Sequence, residues 1–391
     1  TFLFSNRSGP ELQQHYSEFE PLLDALLSYT ALLVLREVSI DKQTVSKVDL
    51  SARGESSELA NKLFAWLVRL ACEDGFLIQQ DSDEYAFSET AAKSSQLQEE
   101  LQAVWGLLSG SGFSTHGSEL QLIATALQHI QQLFPPDNSL LQARKNLADV
   151  QLDPNDLQKI VGEKSYRAIV DSIYNEGNAY AAGNWLQSSI SESLLASYRG
   201  EGKSPNQSVD ILELSSCYDG NIEPCLASLK AEDSYRFITS SAGAYARVSN
   251  DFKRDIRFSG GYVESFDSLG CEDLLGMQSV EQGNENNSKL GFDLILLGDI
   301  AGQAPSFEQL LETVSTSLKP GGIIVIKDHC SNRLDDMLFG LDAQWWNADS
   351  GYGYQLTSEK LRQLLESKGF GCSQVHGPIE LVSSSEFVLL A

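Results

Sequence analysis

Apolar residues follow two different rhythms along this chain. In the first half they recur at helical spacing. Pro21 to Arg36 and Glu58 to Cys72 place Leu, Ala, Val and Trp three and four residues apart, which predicts two helices, and Gly75 supplies the stop after the second. Phe76-Leu-Ile78 and Tyr85-Ala-Phe87, joined by the acidic turn Asp81 to Glu84, read as a short hairpin. A Ser/Gly-rich break, Leu108 to Gly117, leads to further helical patterns at Glu119 to Phe134, Leu140 to Ala148 and, with interruptions, Asp171 to Tyr198.

A polar stretch, Arg199 to Ser208, marks the change of rhythm. Beyond it, strand-sized apolar runs at Ile211 to Leu214, Arg236 to Thr239, Leu294 to Leu297 and Ile323 to Lys327 alternate with helical patterns at Glu223 to Leu229, Phe307 to Leu318 and Ser358 to Ser367. That alternation predicts an α/β domain with a parallel sheet. Gly371 to Val375 and Glu386 to Leu390 are joined by a link too short for a parallel crossover, so the last pair should be antiparallel. Two domains are expected: a helical one over residues 1–200, and an α/β core over 205–391.

The chain has 391 residues and a formal charge of -26, with no visible Lys/Arg cluster. Helix plus hairpin at about residues 58–88 has the outline of a winged helix. Glu73, Asp74, Asp81, Asp83 and Glu84 give it the wrong charge for DNA, and the whole surface repels phosphate, so neither nucleic acid nor an anionic membrane is expected as a partner. No apolar run approaches a membrane span. Six cysteines without CxxC spacing fit a reducing cytoplasm. The opening Thr1 points to a piece of something larger. His15, His116 and His129 lack ligand spacing, and no metal is expected. The acidic stretch 260–288 reads as a solvated loop.

The chemistry turns on Asp210-Ile-Leu-Glu-Leu-Ser-Ser-Cys-Tyr-Asp-Gly220, where a strand runs into a turn and a helix, the usual place for a ligand crevice. Phe292-Asp-Leu-Ile-Leu-Leu297, Leu318-Lys-Pro-Gly-Gly-Ile-Ile-Val-Ile326 and Leu338-Phe-Gly-Leu-Asp-Ala-Gln-Trp-Trp346 follow it, with Leu361 to Phe370 beyond. Together they resemble the downstream half of an S-adenosylmethionine-dependent methyltransferase. The Phe-Gly-Leu…Trp-Trp element and the Tyr174…Asn184 pair resemble, more narrowly, the C-methyltransferase domains of polyketide synthases. The resemblance implies a class I seven-stranded sheet preceded by a helical lid. It implies transfer of a methyl group to the α-carbon of a β-ketoacyl chain on an acyl carrier protein. It also names Tyr174, Asn184, Trp345 and Trp346 as pocket candidates, although paired tryptophans are more often packing.

Set against that family, the cofactor site is degenerate. Relatives read Glu-Ile-Gly-Ala-Gly-Thr-Gly-Gly where this chain has Glu213-Leu-Ser215-Ser216-Cys217-Tyr218-Asp219-Gly220. A side chain forced into a left-handed position costs roughly 1–2 kcal/mol, and Asp219 adds a negative charge beside the cofactor's carboxylate. Ser240 stands where the ribose-binding acid should be, and Asp299 follows the fourth strand. The combined loss is on the order of 4–8 kcal/mol, most of what a micromolar ligand has. No cofactor is expected to bind tightly.

The catalytic positions are also altered. The family's histidine corresponds to Gly302, which cannot accept a proton, and its glutamate to Asp328. His329 could form a relocated acid/base pair with Asp328, but neighbours on a strand point to opposite faces, so the two should not readily share a pocket unless the strand has ended. The expectation is a non-catalytic methyltransferase-like domain that contacts neighbouring synthase domains and a carrier protein. The alternatives are an active C-methyltransferase using S-adenosylmethionine and a free-standing O-methyltransferase.

Overall fold

The computed structural model describes residues 13–40, 43–52, 57–81, 83–93, 97–134, 173, 178–200, 208–216, 222–270, 274, 291–300, 307–329, 332–340, 345–346, 358–371, 374–376 and 386–391. The chain separates into two compact units. One holds residues 13–169 and 332–353, the other 170–331 and 354–391. This partition differs from a simple cut at residue 200. The helix Asn178–Gly200 precedes the cut yet contributes Leu195 to a core shared with the large sheet, and residues 332–353 return to the helical unit.

The helical unit is built on Glu20–Val38 and Glu58–Glu73. Pro21 sits in the first turn of the former, where its missing N–H costs nothing. Ser57 caps the latter by accepting the Ala60 N–H at 3.1 Å, and Gly75 takes φ +72° just beyond its end. The expected hairpin forms as β2 (Leu77–Gln79) and β3 (Glu84–Phe87), with a third antiparallel strand, β1 (Thr44–Ser46), on the far side of β3. The Ser/Gly-rich stretch expected as a break contains a 3-10 helix, Ser111–His116, running into the helix Gly117–Leu133. It presents His116 to His15: Nδ1 of His15 lies 3.0 Å from Nε2 of His116, both rings are buried, and Phe19 stacks on both. The pattern Leu140 to Ala148 lies outside the described residues.

The second unit is a seven-stranded sheet. Its strands are β4 (Asp210–Ser215), β5 (Ser234–Thr239), β6 (Phe258–Tyr262), β7 (Phe292–Gly298), β8 (Leu318–His329), β9 (Gln374–His376) and β10 (Glu386–Leu390), in the order β6-β5-β4-β7-β8-β10-β9. β4 to β8 pair parallel, and β10 runs antiparallel to both neighbours, as the short final link requires. β7 is buried along its whole length, which is why it reads as a continuous apolar run. Leu212, Leu214, Ile295, Leu297, Ile324 and Ile326 pack on one face of the sheet with the helices Phe307–Ser317 and Ser358–Ser367. Ile211, Tyr235, Phe237, Leu294, Leu296 and Val325 pack on the other with Asn178–Gly200 and Ile222–Ser228. The Pro-Gly-Gly turn falls at the start of β8, where a Cβ on Gly322 would meet the Phe292 carbonyl oxygen at 3.0 Å.

One expectation needs correcting. The stretch 260–288 does not begin as a loop, because Gly260 to Tyr262 complete the edge strand β6, and Phe266–Ser268 form a 3-10 turn. Two glycines hid that strand from a propensity reading. No helix among the described residues is long and apolar enough to cross a membrane.

Candidate functional site

The parallel strands β4, β5, β7 and β8 end together, and the sequence-derived positions of the α/β unit gather there. Cys217, Tyr218, Asp219 and Gly220 lie outside the described residues, as do Tyr174 and Gly302. Ser215 and Ser216 are described and buried, and the Ser216 N–H donates to the Gly298 carbonyl at 3.2 Å. Glu213 projects into the apolar layer beside Ile211, almost fully buried, and its carboxylate accepts the hydroxyl proton of Tyr235. A carboxylate there needs such a donor, because an unpaired charge in low dielectric costs several kcal/mol, on the order of the whole stability margin. Ser240 follows β5 directly, half-buried, and Ser241 caps the next helix by accepting the Ala244 N–H at 3.1 Å.

At the ends of β7 and β8 lies a cluster of charge. Asp299 follows Gly298 with φ 51°, a left-handed conformation that only glycine adopts freely, and its N–H donates to the Lys327 carbonyl at 2.9 Å. Lys327 shares a sheet face with Val325 and is fully buried. Its ammonium donates to Asn184 Oδ1 at 2.5 Å and lies 2.7 Å from Asp299 Oδ2. The second contact is a buried ion pair. His329 closes the group. Its Nδ1 is 3.3 Å from Asp299 Oδ1 and 3.7 Å from Asp328 Oδ1, and the Tyr180 ring packs edge-on to the imidazole.

This overturns the expectation that Asp328 and His329 face apart. β8 ends at His329, and the Asp328 carboxylate folds back to accept the His329 N–H at 2.8 Å, which brings it round to the imidazole. Both residues still pair with β10, so the approach comes from this local hydrogen bond and not from a loss of strand pairing. Burial pushes the Asp299 carboxyl up, but the Lys327 ammonium and the His329 ring outweigh it and hold the group below the usual carboxylate range. Asp299, Asp328 and His329 each offer an oxygen or nitrogen ligand atom, all within 4.8 Å of one another.

Of the positions singled out in the sequence, Asn184, Asp299, Asp328 and His329 are thus brought together, while Ser215, Ser216, Glu213 and Ser240 line the ends of the neighbouring strands. Trp345 and Trp346 belong to the helical unit. Trp346 is buried against Trp66, with ring centroids 6.1 Å apart, and Trp345 donates its indole N–H to Asp336 at 3.0 Å. Lys327 was missed. The signal was present: a lysine ending the run Ile323-Ile-Val-Ile, two residues after an inward Val325, is placed inward by strand periodicity.

Residues 227–375 match the family model described as a methyltransferase domain. Over 165 residues, 41% of this chain, the sequence is 27% identical to the highly reducing polyketide synthase acrA of Aspergillus aculeatus. It is 25% identical over 248 residues, 60% of the chain, to the highly reducing polyketide synthase NEC1 of Pyricularia oryzae. These matches span 6% and 8% of the length of those proteins. The CurJ carbon methyltransferase superposes with a TM-score of 0.66 at 17% identity, covering 97% of this chain and 96% of its own. The citrinin polyketide synthase CMeT domain does so with 0.66 at 14%, covering 97% and 91%.

Proposed function

We infer that this chain, which has the class I methyltransferase fold and is homologous to fungal polyketide synthases, is a methyltransferase-like domain of such a synthase that no longer transfers methyl groups. The observation that carries this reading is the buried Lys327 ammonium held between Asn184 and Asp299. The family resemblance assigns Asn184 to the pocket and Asp328 to the catalytic carboxylate. Here Asn184 is engaged by Lys327, and Asp328 by the backbone of His329. Glu213, the family's retained acid, meets the Tyr235 hydroxyl. These residues do not fit the cofactor in the way the family pattern requires, and the serine at 215, where the family has glycine, opposes the close backbone approach that glycine permits.

In this reading the domain's role is architectural, through contact with neighbouring synthase domains and a carrier protein. The test is incubation with labelled S-adenosylmethionine and a β-ketoacyl carrier protein, with calorimetry of the donor and its demethylated product alongside. Neither transfer nor micromolar binding is expected. Either would overturn the reading.

A second reading has one observation in its favour. His329 Nδ1 and Asp299 Oδ1, 3.3 Å apart, form an imidazole–carboxylate pair of the kind that orients a general base. If the same assay gives transfer that His329→Gln abolishes while donor binding persists, the domain is an active C-methyltransferase with a relocated base.

A further inference from the structure

We propose, resting on the carrier-protein contact inferred above, that the turn Lys253-Arg254-Asp255-Ile256-Arg257 between the helix Ala242–Phe252 and β6 is the docking tip for an acidic surface of that carrier protein. The chain has 28 lysines and arginines among its 391 residues, and three of them fall within these five. Asp255 interrupts the run, which is why no cationic cluster shows in the sequence. In the structure that acid is spent inside the turn. Arg257 donates to its two carboxylate oxygens, from Nε at 2.8 Å and Nη2 at 2.6 Å, and the Arg257 backbone N–H adds a third bond at 3.0 Å. Lys253 and Arg254 are exposed, and neither forms an ion pair with a carboxylate among the described residues; Lys253 meets the neutral amide oxygen of Asn250 at 2.9 Å. On a chain of formal charge -26, two cations left to face solvent mark where an anionic partner can land.

Ile256 adds an apolar centre to this charge. It is 89% exposed, more than any other large hydrophobic side chain among the described residues. A lone exposed isoleucine on a loose loop would mean little, but this turn is held on three sides. The Asp255 N–H donates to the Phe252 carbonyl at 2.9 Å, the Phe258 N–H to the Asp255 carbonyl at 3.1 Å, and Nη1 of Arg257 to the Leu229 carbonyl at 2.6 Å. A knob fixed in advance loses little freedom on docking, and an apolar centre with a charged rim is the anatomy of a protein interface. Its complement is a shallow apolar hollow flanked by carboxylates. A nucleic acid would need more phosphates neutralised than two cations provide, against the repulsion of the rest of the chain. One isoleucine buries too little apolar area to hold a membrane surface.

The experiment titrates the full 391-residue chain into an isotope-labelled acyl carrier protein, with no methyl donor present, and follows it by NMR at about 50 mM and about 500 mM salt. Saturable binding is expected at a Kd of roughly 100 μM or tighter, with the shifted carrier amides gathered on a face that bears carboxylates. Arg254→Glu and Ile256→Ser should each weaken binding about 10-fold. The loss at Arg254 should shrink at high salt, and the loss at Ile256 should persist. Lys47→Glu makes the same change in net charge at an exposed site of the helical unit, and it should leave binding within about 2-fold. Thermal melts verify that the variants fold; should one fail, Lys253→Gln read at both salts takes its place. No saturable binding up to about 1 mM, equal losses for Lys47→Glu and Arg254→Glu, or binding that the tip variants leave unchanged would overturn the proposal. So would sedimentation showing that the tip joins two copies of this chain or holds anionic vesicles instead. The non-catalytic reading is tested with the sulfonium donor, so either can fail while the other stands.

Discussion

Trp346 donates its indole N–H to the carbonyl oxygen of Gly340 at 2.8 Å, and a Cβ built on Gly340 would collide with the Asp336 carbonyl oxygen and with Cζ2 of Trp346. The glycine of the Phe-Gly-Leu…Trp-Trp element is therefore a seat for an aromatic ring. Gly340→Ala should destabilise the chain by about 1–3 kcal/mol through overpacking, read from denaturant unfolding followed by tryptophan fluorescence. Gly106 is the contrast. It lies within the helix Leu97–Leu108 with nothing within 4 Å of its virtual Cβ, so Gly106→Ala should stabilise by roughly 0.5–1 kcal/mol. Equal effects at the two sites would refute the packing account.

Glu213 and Tyr235 make a second test. The tyrosine hydroxyl reaches the carboxylate deep in the sheet's packing layer, and both residues are almost fully buried. Tyr235→Phe keeps the ring and removes the donor, so it should cost about 1.5–3 kcal/mol, the range for a hydrogen bond to a charged group. A loss under about half a kcal/mol would mean that other donors meet the carboxylate's need.

Lys319 bridges Asp210 and Asp293 at 2.6 Å each, while Tyr198 of the helix Asn178–Gly200 donates its hydroxyl to Asp293. Burial lowers the Lys319 ammonium's proton affinity, but bonding to the two aspartates outweighs it, and the group is held above the ordinary lysine value. Lys319→Met leaves two carboxylates facing each other in a partly wet setting and should cost about 2 kcal/mol, below the figure for a fully buried pair. Added salt should shrink the loss by screening the repulsion, which thermal melts at two ionic strengths can check.

Glu20 predicts a pH dependence. Burial, and next the charge of Asp24, raise its carboxyl to about 7. The folded state therefore holds a proton that the unfolded state gives up near 4.5, so stability falls as pH rises between about 4.5 and 7 and is level beyond. The side chain is partly open to solvent, and the effect should be about 1 kcal/mol after screening. Glu20→Gln should flatten this slope and leave the variant the more stable at pH 8. An unchanged slope would show that Glu20 titrates normally.

The two units differed in how well local pattern announced them. The strands at Ile211, Arg236, Leu294 and Ile323 were legible because their largely buried segments carry short runs dominated by apolar residues, and the helices Glu20–Val38 and Glu58–Glu73 because their apolar residues keep one period. β6 was not, since Gly260 and Gly261 hide a strand held in place by pairing with β5. β1 escaped for the same reason, its three residues being ordered by β3.

Sequence alone determined the succession of elements, the antiparallel end of the sheet and the departures from the family's glycine, acid and histidine positions, because these follow from residue type and short-range spacing. It could not bring Asp299 to His329, thirty positions away, or put Lys327 between Asn184 and Asp299. Parallel pairing of β7 with β8 does that, joined with the turn of the Asp328 carboxylate onto the His329 N–H. Charge in a protein interior depends on what stands within a few ångströms in space, and a one-dimensional pattern carries only what stands near along the chain.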